Sequence, residues 1–348
     1  MTLAINGMGR IGRLALRDAF GGVKRHDSDI NKGKKLPINL VNDPSMDTRL
    51  LAHLLEFDSL HGRWDAEFSF DETTLTINGD KIRLTQKRDP SAIDWQKSQV
   101  STVLDCTGVF KSPEKLAPYF DKGIQTTINS APVMHNDVLN IVMGVNDHVY
   151  DHSIHKMVTA ASCTTNCLAP VVKVIKENLG IKHGQITTIH DPTNSNLVVD
   201  AAQNDLRRAR SSLLSLQPTS TGSARAIGLI YPELVGKLNG HAVRVPVLNA
   251  SLTDCVFELE TATTEEHVNE LFEQASKDGT LVGFLGVEHR ELVSIDYLND
   301  TRSSIIDLPS TMVTNSTMLK IYAWYDNEMG YACRINDLAR LVLSKSAT

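Results

Sequence analysis

The fold of this chain is decided by Thr2-Leu3-Ala4-Ile5-Asn6-Gly7-Met8-Gly9-Arg10-Ile11-Gly12, an apolar run that leads into three spaced glycines. Apolar residues recur at helical spacing after it, so the stretch has the order strand, Gly-x-Gly-x-x-Gly, helix. Gly7 permits the tight turn, Gly9 lets the main chain approach a pyrophosphate, and Gly12 allows close packing of helix on strand. The sequence therefore predicts a doubly wound parallel sheet that binds a dinucleotide.

The first half of the chain continues this alternation of strands and helical segments. Strands are predicted at residues 37–41, 101–106, 125–130 and 139–143, shorter ones at 66–70 and 74–77, and a helix at 47–57. Such alternation is typical of an α/β domain built on a parallel sheet. Because 348 residues exceed the usual size of one domain, we expect two.

Asp43 follows the second predicted strand, where a carboxylate binds the ribose hydroxyls of NAD and disfavours the 2′-phosphate of NADP. It lies further from Gly12 than the roughly 20 residues that the fingerprint usually spans. We interpret the polar segment 24–35 as a solvated surface insertion that accounts for the difference. The alternative is that its lysines lie near the adenosine and help to admit NADP.

A second stretch, Ala161-Ser162-Cys163-Thr164-Thr165-Asn166-Cys167-Leu168-Ala169-Pro170, places a cysteine at the start of a predicted helix. Ser162 suits the N-cap, and a first-turn Cys163 meets the positive helix end, which favours the nucleophilic thiolate. The alternative, a small buried core residue, fits the spacing about equally well. Cys167 is interpreted as core, because Cys-x3-Cys is neither a redox nor a usual zinc spacing, and no metal site is predicted.

A base for Cys163 is suggested by the strand-like residues 186–190, which end in His190. A side chain at the end of a strand can point into a cleft, although a lone histidine is more often structural. Together with the helix-capped cysteine, His190 gives a Cys/His pair hypothesis for nucleophilic catalysis.

The residues after His190 converge on anion binding. They comprise Thr193 and Asn194, three arginines at 207, 208 and 210, the segment 219–222 before a predicted helix at 224–229, and Arg244 in a predicted strand. A helix N-terminus with hydroxyls suits phosphate, and an arginine in a strand needs an anionic partner. The alternative for the arginine run is a solvated or inter-subunit surface. Strands at 242–245, 252–260, 292–297 and 318–326, with helices at 264–277 and 328–344, predict a larger mixed sheet.

Composition excludes several classes of protein. The net charge is −6, and no block of basic residues suggests a surface for nucleic acid or an anionic membrane. We therefore expect no binding to either. We see no signal peptide and no apolar run of about 18 residues that would span a bilayer. Five cysteines, an odd number spread widely, indicate a reducing compartment. A soluble cytoplasmic enzyme is the expectation.

Taken together, these motifs resemble the glyceraldehyde-3-phosphate dehydrogenase family over nearly the whole chain. The resemblance is carried by residues 5–13, 161–170 with His190, 205–210, 218–222, 236–240, 243–246 and 324–328, in the family's order. It implies a Rossmann NAD-binding domain at 1–161 and 327–348, the latter a returning C-terminal helix, and an α+β catalytic domain with a mixed sheet at 162–326. It also implies a homotetramer.

The resemblance assigns a role to each candidate site residue. It implies NAD binding by Asn6, Gly7, Gly9, Arg10, Ile11, Gly12, Asp43, Thr107, Ser130, Asn194, Asn327 and Tyr331. It implies binding of the substrate C3 phosphate by Thr193 and Arg244, and of the attacking phosphate by Ser162, Thr164, Arg208, Thr221 and Gly222. Cys163 then attacks glyceraldehyde 3-phosphate, His190 removes a proton as hydride passes to the nicotinamide, and phosphate cleaves the thioester.

The chain departs from the family's pattern at three places. Asp191-Pro192 stands where most members have Ser-Tyr, and we assign Asp191 no catalytic role because it could simply brace the turn. Ala202 replaces a proline usual in NAD-specific members, whereas Asp43 favours NAD, so we expect NAD with some use of NADP. Met329 replaces a usual tryptophan close to Asn327.

Residues 54–64, 140–148 and 187–191 look like the branch found beside arsenical permeases. That branch is associated with arsenate in place of phosphate, giving 1-arseno-3-phosphoglycerate for export and a role in arsenate detoxification. Two alternatives stay open. Erythrose-4-phosphate dehydrogenase releases the acid by hydrolysis, and the anion set of Arg208 and Thr221 argues against it. A non-catalytic binder of RNA or of another enzyme is disfavoured by the negative net charge.

Overall fold

The computed structural model describes residues 2–346. They form two compact units, the first made of residues 2–25, 30–162 and 331–346, and the second of residues 26–29 and 163–330. None of the helices within residues 2–346 is long and apolar enough to span a bilayer.

The first unit contains nine strands and three helices before residue 162. They are β1 (Thr2–Asn6), α1 (Arg10–Ala19), β2 (Ile38–Asn42), α2 (Thr48–Glu56), β3 (Phe68–Phe70), β4 (Thr74–Ile77), β5 (Asp80–Thr85), β6 (Val100–Asp105), α3 (Pro113–Phe120), β7 (Thr126–Asn129), β8 (Leu139–Asn140) and β9 (Met157–Thr159). One sheet joins the strands in the order β3-β4-β5-β2-β1-β6-β7-β9-β8. The predicted doubly wound sheet is confirmed: every pair from β5 to β8 is parallel.

The centre of this sheet is the point at which the strand order reverses. β1 pairs with β2 on one side and with β6 on the other, and Asn6 lies level with both Asn42 and Asp105. In an open parallel sheet, ligands bind outside the carboxyl ends of strands at such a reversal. The polar ends of β1, β2 and β6 therefore meet where a dinucleotide is expected.

The second unit is built on an eight-stranded sheet. Its elements are α4 (Cys163–Leu179), β10 (Ile181–His190), β11 (Gln217–Ser220), α5 (Ser223–Ile230), β12 (Leu238–Arg244), β13 (Ser251–Leu259), α6 (Glu265–Lys277), β14 (Leu285–Glu288), β15 (Ser304–Asp307), β16 (Met312–Thr314), β17 (Met318–Tyr325) and the start of α7 (Met329–Ser346), whose residues from 331 onward belong to the first unit. The order is β11-β12-β10-β13-β17-β15-β14, with β16 beside β17. Parallel pairs β10–β12 and β14–β15 among antiparallel ones make it mixed, as predicted.

The register of this sheet positions the reactive groups. β10 and β12 run parallel and end together, so that His190 lies beside Arg244. α4 begins at Cys163, and most of its residues are buried. Gly180 ends the helix with a φ of +71°, a conformation that glycine adopts without strain. A long buried helix and a central strand therefore hold Cys163 and His190 rigidly.

Two sequence predictions are wrong. The expected strand at residues 292–297 is a short 3₁₀ helix, Ser294–Tyr297, because the Asp296 carboxylate accepts from the Val293 N–H and tightens the turn. The segment 24–35 was expected to be solvated throughout, but one of its cations, Arg25, is buried. Arg25 is 3% exposed and donates to the carboxylates of Asp18 and Asp337 at 2.7 Å each. The segment is thus anchored by a buried ion pair, while its four lysines lie at the surface.

Candidate active site

Ala161, two residues before Cys163, has a strained backbone conformation. Ala161 has a φ of +52°, which is unfavourable for any residue with a Cβ. Two hydrogen bonds hold it there: its N–H donates to Thr159 Oγ1 at 2.9 Å, and its carbonyl accepts from the Tyr331 hydroxyl at 3.0 Å. Strain that the surroundings hold in place is typical of functional sites. Tyr331 is therefore buried against the main chain that precedes Ser162.

Cys163 and His190 form a close pair. Cys163 Sγ lies 3.6 Å from His190 Nε2. Burial opposes ionisation of the thiol, but the hydrogen bond and positive charge of His190 outweigh it and hold the pKa of Cys163 below its ordinary value. Burial likewise opposes protonation of His190, yet hydrogen bonds to Asp191 and Cys163 raise its pKa to about 9. The contact thus favours the thiolate of Cys163 and the imidazolium of His190.

The other four cysteines have different surroundings. Burial raises the pKa of Cys106, Cys255 and Cys333, and raises that of Cys167 to about 12. Cys167 Sγ lies 3.7 Å from Ser304 Oγ in the core. Only a thiolate is a good nucleophile, and among the five cysteines within residues 2–346 Cys163 is the one whose surroundings lower the thiol pKa. The predicted core role of Cys167 agrees with its burial.

Asp191 is the residue that the sequence reasoning missed. Its carboxylate Oδ1 lies 2.6 Å from His190 Nδ1, and its Oδ2 accepts from Asn327 Nδ2 at 3.1 Å. Ser251 Oγ lies 3.1 Å from the same Oδ1 and 3.0 Å from Asn327 Oδ1. An acidic residue directly after the candidate base could have indicated this role from the sequence. Its partners Ser251 and Asn327, however, lie 60 and 136 positions away along the chain.

Arg244 approaches the same ring nitrogen of His190 as Asp191 does. Its Nη1 donates to the Asp191 carbonyl at 2.7 Å and lies 2.6 Å from His190 Nδ1. Burial lowers the pKa of this guanidinium while the negative charges of Cys163 and Asp191 raise it. An arginine stays protonated at neutral pH, so a fixed positive charge lies beside the Cys/His pair.

Most of the anion-binding candidates lie on exposed or half-buried segments. Arg208 Nε donates to Thr219 Oγ1 at 2.9 Å, which orients the guanidinium fork. Thr221 Oγ1 lies 3.1 Å from Ser223 Oγ, and Gly222 directly precedes the helix. Thr193 Oγ1 lies 2.9 Å from Ser195 Oγ, and Asn194 beside it is exposed. Half-buried Ser162 directly precedes Cys163.

Thr164 is the most buried of the anion-binding candidates in the first turn of α4. Its side chain is 5% exposed, and its hydroxyl lies 2.9 Å from the Tyr325 hydroxyl in the interior. The first turn of α4 directs this side chain into the core. The predicted part of Thr164 in binding the attacking phosphate stays a prediction.

The glycine turn after β1 is shaped as the fingerprint requires. A Cβ on Gly12 would lie 2.0 Å from the Gly7 carbonyl oxygen, and Gly7 itself has a φ of +93°. A Cβ on Gly9 would meet nothing within 4 Å, so the main chain there is open. Asp43 Oδ2 accepts from the Met8 N–H at 2.9 Å. An open turn with a carboxylate beside it fits the pyrophosphate and ribose of a dinucleotide.

Two other residues predicted to bind the dinucleotide, Asn6 and Thr107, form hydrogen bonds that stabilise the carboxyl ends of β1 and β6. Asn6 is buried and donates to the Tyr119 hydroxyl, which in turn donates to Asp105 Oδ2 at 2.6 Å. Thr107 Oγ1 donates to Asp105 Oδ1 at 2.7 Å. The side chains of Asn6 and Thr107 thus support the edge from within and leave their main chain as the available surface.

Arg10, Ile11 and Ser130 lie at the rim. Arg10 pairs with Asp58, with Nη2 3.1 Å from Oδ1. Burial raises the pKa of Asp58, but hydrogen bonds from Arg10 and two N–H groups outweigh it and lower that pKa. Ile11 and Ser130 are half-buried. Arg10 is therefore held at the start of α1, next to the open turn.

Comparisons with known proteins agree with this geometry. Residues 1–113 match the family model described as the NAD binding domain of glyceraldehyde 3-phosphate dehydrogenase, and residues 162–327 match its C-terminal domain. The chain belongs to the glyceraldehyde 3-phosphate dehydrogenase family. It is accordingly an NAD-dependent enzyme of the dehydrogenase type.

Proteins that carry this name are similar along their whole length. A glyceraldehyde-3-phosphate dehydrogenase 3 of Nostoc sp. is 54% identical over 342 residues, covering 98% of each chain. Enzymes of Priestia megaterium and Geobacillus stearothermophilus named glyceraldehyde-3-phosphate dehydrogenase are 43% and 44% identical, covering 99% of each chain. The family resemblance noted in the sequence is thereby confirmed.

Proposed function

We propose that this protein oxidises glyceraldehyde 3-phosphate with NAD through a thioester on Cys163, which inorganic phosphate or arsenate then cleaves. The observation that carries the proposal is the 3.6 Å contact between Cys163 Sγ and His190 Nε2, with the thiol pKa lowered and the imidazole pKa raised. An activated thiolate beside a protonated base is the arrangement that covalent aldehyde chemistry needs.

The first steps follow from this pair. The Cys163 thiolate attacks the aldehyde carbon, and the carbonyl oxygen takes the proton from His190 Nε2. The now neutral imidazole accepts that proton back as the carbon loses its hydrogen. NAD, when bound, accepts this hydrogen as hydride. Cys163 is left carrying a thioester.

The second half of the reaction needs a bound oxyanion. Attack of phosphate on the thioester carbon breaks the C–S bond, returns the thiolate and releases an acyl phosphate. Ser162, Thr164, Arg208, Thr221 and Gly222 are proposed to bind this anion, while Thr193 and Arg244 bind the C3 phosphate of the substrate. The orienting bond from Arg208 Nε to Thr219 supports this assignment, because a planar fork matches an oxyanion.

The dinucleotide would be held by both the main chain and side chains. The open turn at Gly7, Gly9 and Gly12 supports pyrophosphate binding, and Asp43 supports binding of the ribose hydroxyls. Each Asp43 oxygen accepts one main-chain N–H and keeps a lone pair for a hydroxyl. Asn194, Asn327 and Tyr331 are proposed to lie near the nicotinamide by the family resemblance.

The arsenate branch is part of the proposal. Phosphate and arsenate are nearly isosteric, so the same residues would bind either anion. The arsenate branch is supported by the resemblance of residues 54–64, 140–148 and 187–191.

We infer a homotetramer in the cytoplasm. Exposed apolar residues between 198 and 216, including Leu206 and Leu214 at 84% and 87%, support an interface between copies. Within residues 2–346 all five cysteines are free thiols, as in a reducing compartment. A sedimentation mass of one chain would contradict the tetramer.

The deciding experiment follows NADH formation from glyceraldehyde 3-phosphate with phosphate, with arsenate and with neither. Dependence on either anion supports the acyl-transfer reaction, and a much higher kcat/KM with arsenate supports the detoxification role. Equal rates without any anion would reject it in favour of hydrolysis, as would faster oxidation of erythrose 4-phosphate.

A further inference from the structure

Asp191 is one of the most thoroughly buried carboxylates near the reactive pair. It is 2% exposed and contacts residues of three strands or their ends: His190, Ser251 and Asn327. A carboxylate removed from water is costly unless it is paired and hydrogen-bonded. Here the pairing is with His190 Nδ1 at 2.6 Å, so the ion pair and the catalytic base share one nitrogen.

That nitrogen has too many neighbours for one proton. His190 Nδ1 lies 2.6 Å from Asp191 Oδ1, 2.8 Å from the Asp191 carbonyl and 2.6 Å from Arg244 Nη1. If Nδ1 lacked its proton it would accept from Arg244, and the proton of a neutral imidazole would then sit on Nε2. In that tautomer the nitrogen facing Cys163 could not act as a base.

The carboxylate decides between these two tautomers. Asp191 Oδ1 can only accept, so it favours a proton on Nδ1, and Arg244 then donates to the Asp191 carbonyl at 2.7 Å instead. We propose that Asp191 is a positioning residue that keeps the proton of His190 on Nδ1, so that Nε2 exchanges protons with Cys163 and the substrate. This inference rests on the proposed function, because that function makes His190 the base.

The other groups around His190 are consistent with this role. It faces Cys163 from α4, Asp191 from its own strand end, Arg244 from β12 and the Tyr325 ring from β17, 6.1 Å between centroids. With thiolate, imidazolium, guanidinium and carboxylate, the four formal charges cancel. Burial raises the pKa of Tyr325 well above its ordinary value, so the phenol stays neutral.

Asn327 links the same carboxylate to a second function. Because Asp191 Oδ2 accepts only, it must face the amide NH₂ of Asn327, which leaves Asn327 Oδ1 toward Ser251. Asp191 thus fixes the orientation of the amide as well as the tautomer of the imidazole. A change at this position therefore alters both groups at once.

The test reads the tautomer of His190 by NMR in the intact protein with ¹⁵N-labelled histidine, without substrate or cofactor. His190→Asn assigns the signal. In the unmodified protein above about pH 9, where His190 loses its second proton, we expect the remaining proton on Nδ1. A neutral imidazole protonated on Nε2 would overturn the proposal, and this measurement needs no variant to fold.

Asp191→Asn then removes the charge with little change of shape. We expect the pKa of His190 to fall from about 9 toward the ordinary value of about 6.5, and kcat to fall about 100-fold. The matched control is Asp307→Asn, a buried carboxylate of the same unit that accepts from Trp324 Nε1, which should leave the titration of His190 unchanged. An unshifted titration in Asp191→Asn would overturn the proposal.

The two readouts separate this inference from the proposed function. If His190 shows the expected tautomer and shift but glyceraldehyde 3-phosphate is not oxidised, Asp191 still positions the imidazole and only the proposed function fails. If the unmodified protein is active but His190 carries its proton on Nε2, the positioning role fails and the function stands.

Discussion

Replacement of His190 by asparagine tests the origin of the reactive thiolate. Burial of the thiolate is opposed by the hydrogen bond from His190 and by its charge. Unit charges 3.6 Å apart attract each other by about 5 kcal/mol at an effective dielectric constant of about 20. Without the imidazolium, burial and the charge of Asp191 oppose the thiolate and only the charge of Arg244 favours it, so the pKa of Cys163 should rise to at least the ordinary thiol value of about 8.5. The thiolate fraction at pH 7 would then be about 3% or less.

The assay is alkylation by iodoacetamide at pH 7 without substrate or NAD, with peptide mapping to confirm that Cys163 carries the label. Because only the thiolate reacts, the rate constant should fall at least about 30-fold in His190→Asn. His183→Asn is the matched control, since His183 is exposed on the same strand β10 and should react like the unmodified protein. An unchanged rate in His190→Asn would refute the reasoning and leave the helix terminus as the source of activation.

Three further predictions concern pH, the dinucleotide turn and the buried ion pair. The pKa of His190 is raised to about 9, so the imidazolium is present at neutral pH and kcat/KM should decline as pH rises through about 9; a flat profile to pH 10 would contradict this. Gly12→Ala should lower the free energy of unfolding by about 1–3 kcal/mol because its Cβ meets the Gly7 oxygen, whereas Gly9→Ala should keep its melting temperature and lose at least about 10-fold in NAD affinity by titration calorimetry. Arg25→Met should cost about 3–5 kcal/mol, seen as a lower melting temperature, while Lys24→Met at the surface should have little effect.

Features with local causes were predictable from the sequence. The turn at residues 7–12 needs glycine for reasons that lie within a few residues of it, and Asp47 and Thr264 cap α2 and α6 with their own side chains. The helix start at Cys163 was likewise local. The pairing of Cys163 with His190 was a hypothesis from the two motifs, which the family resemblance then supported, because 27 residues of chain separate them.

Features that depend on distant partners were not predictable. Residues 292–297 alternate like a strand, but Val293 and Ile295, which would share one face of that strand, are both exposed. From the sequence, Arg25 is one of several basic residues in a polar segment. Its burial depends on Asp337, which lies 312 positions away along the chain. Asp191 reads as a turn residue until Asn327 and Ser251 surround it. The roles assigned to the anion-binding residues stay predictions.

In the proposed reaction Cys163 carries the acyl group, and a single-turnover experiment tests whether it does. The protein is mixed with NAD and glyceraldehyde 3-phosphate in the absence of phosphate and arsenate, and NADH and the intact mass are followed together. If Cys163 carries the acyl group, we expect a burst of about one NADH per chain and an acyl adduct mapped to Cys163. The adduct should be lost when phosphate is added. Steady NADH formation without a burst, or an adduct on another residue, would contradict this role of Cys163.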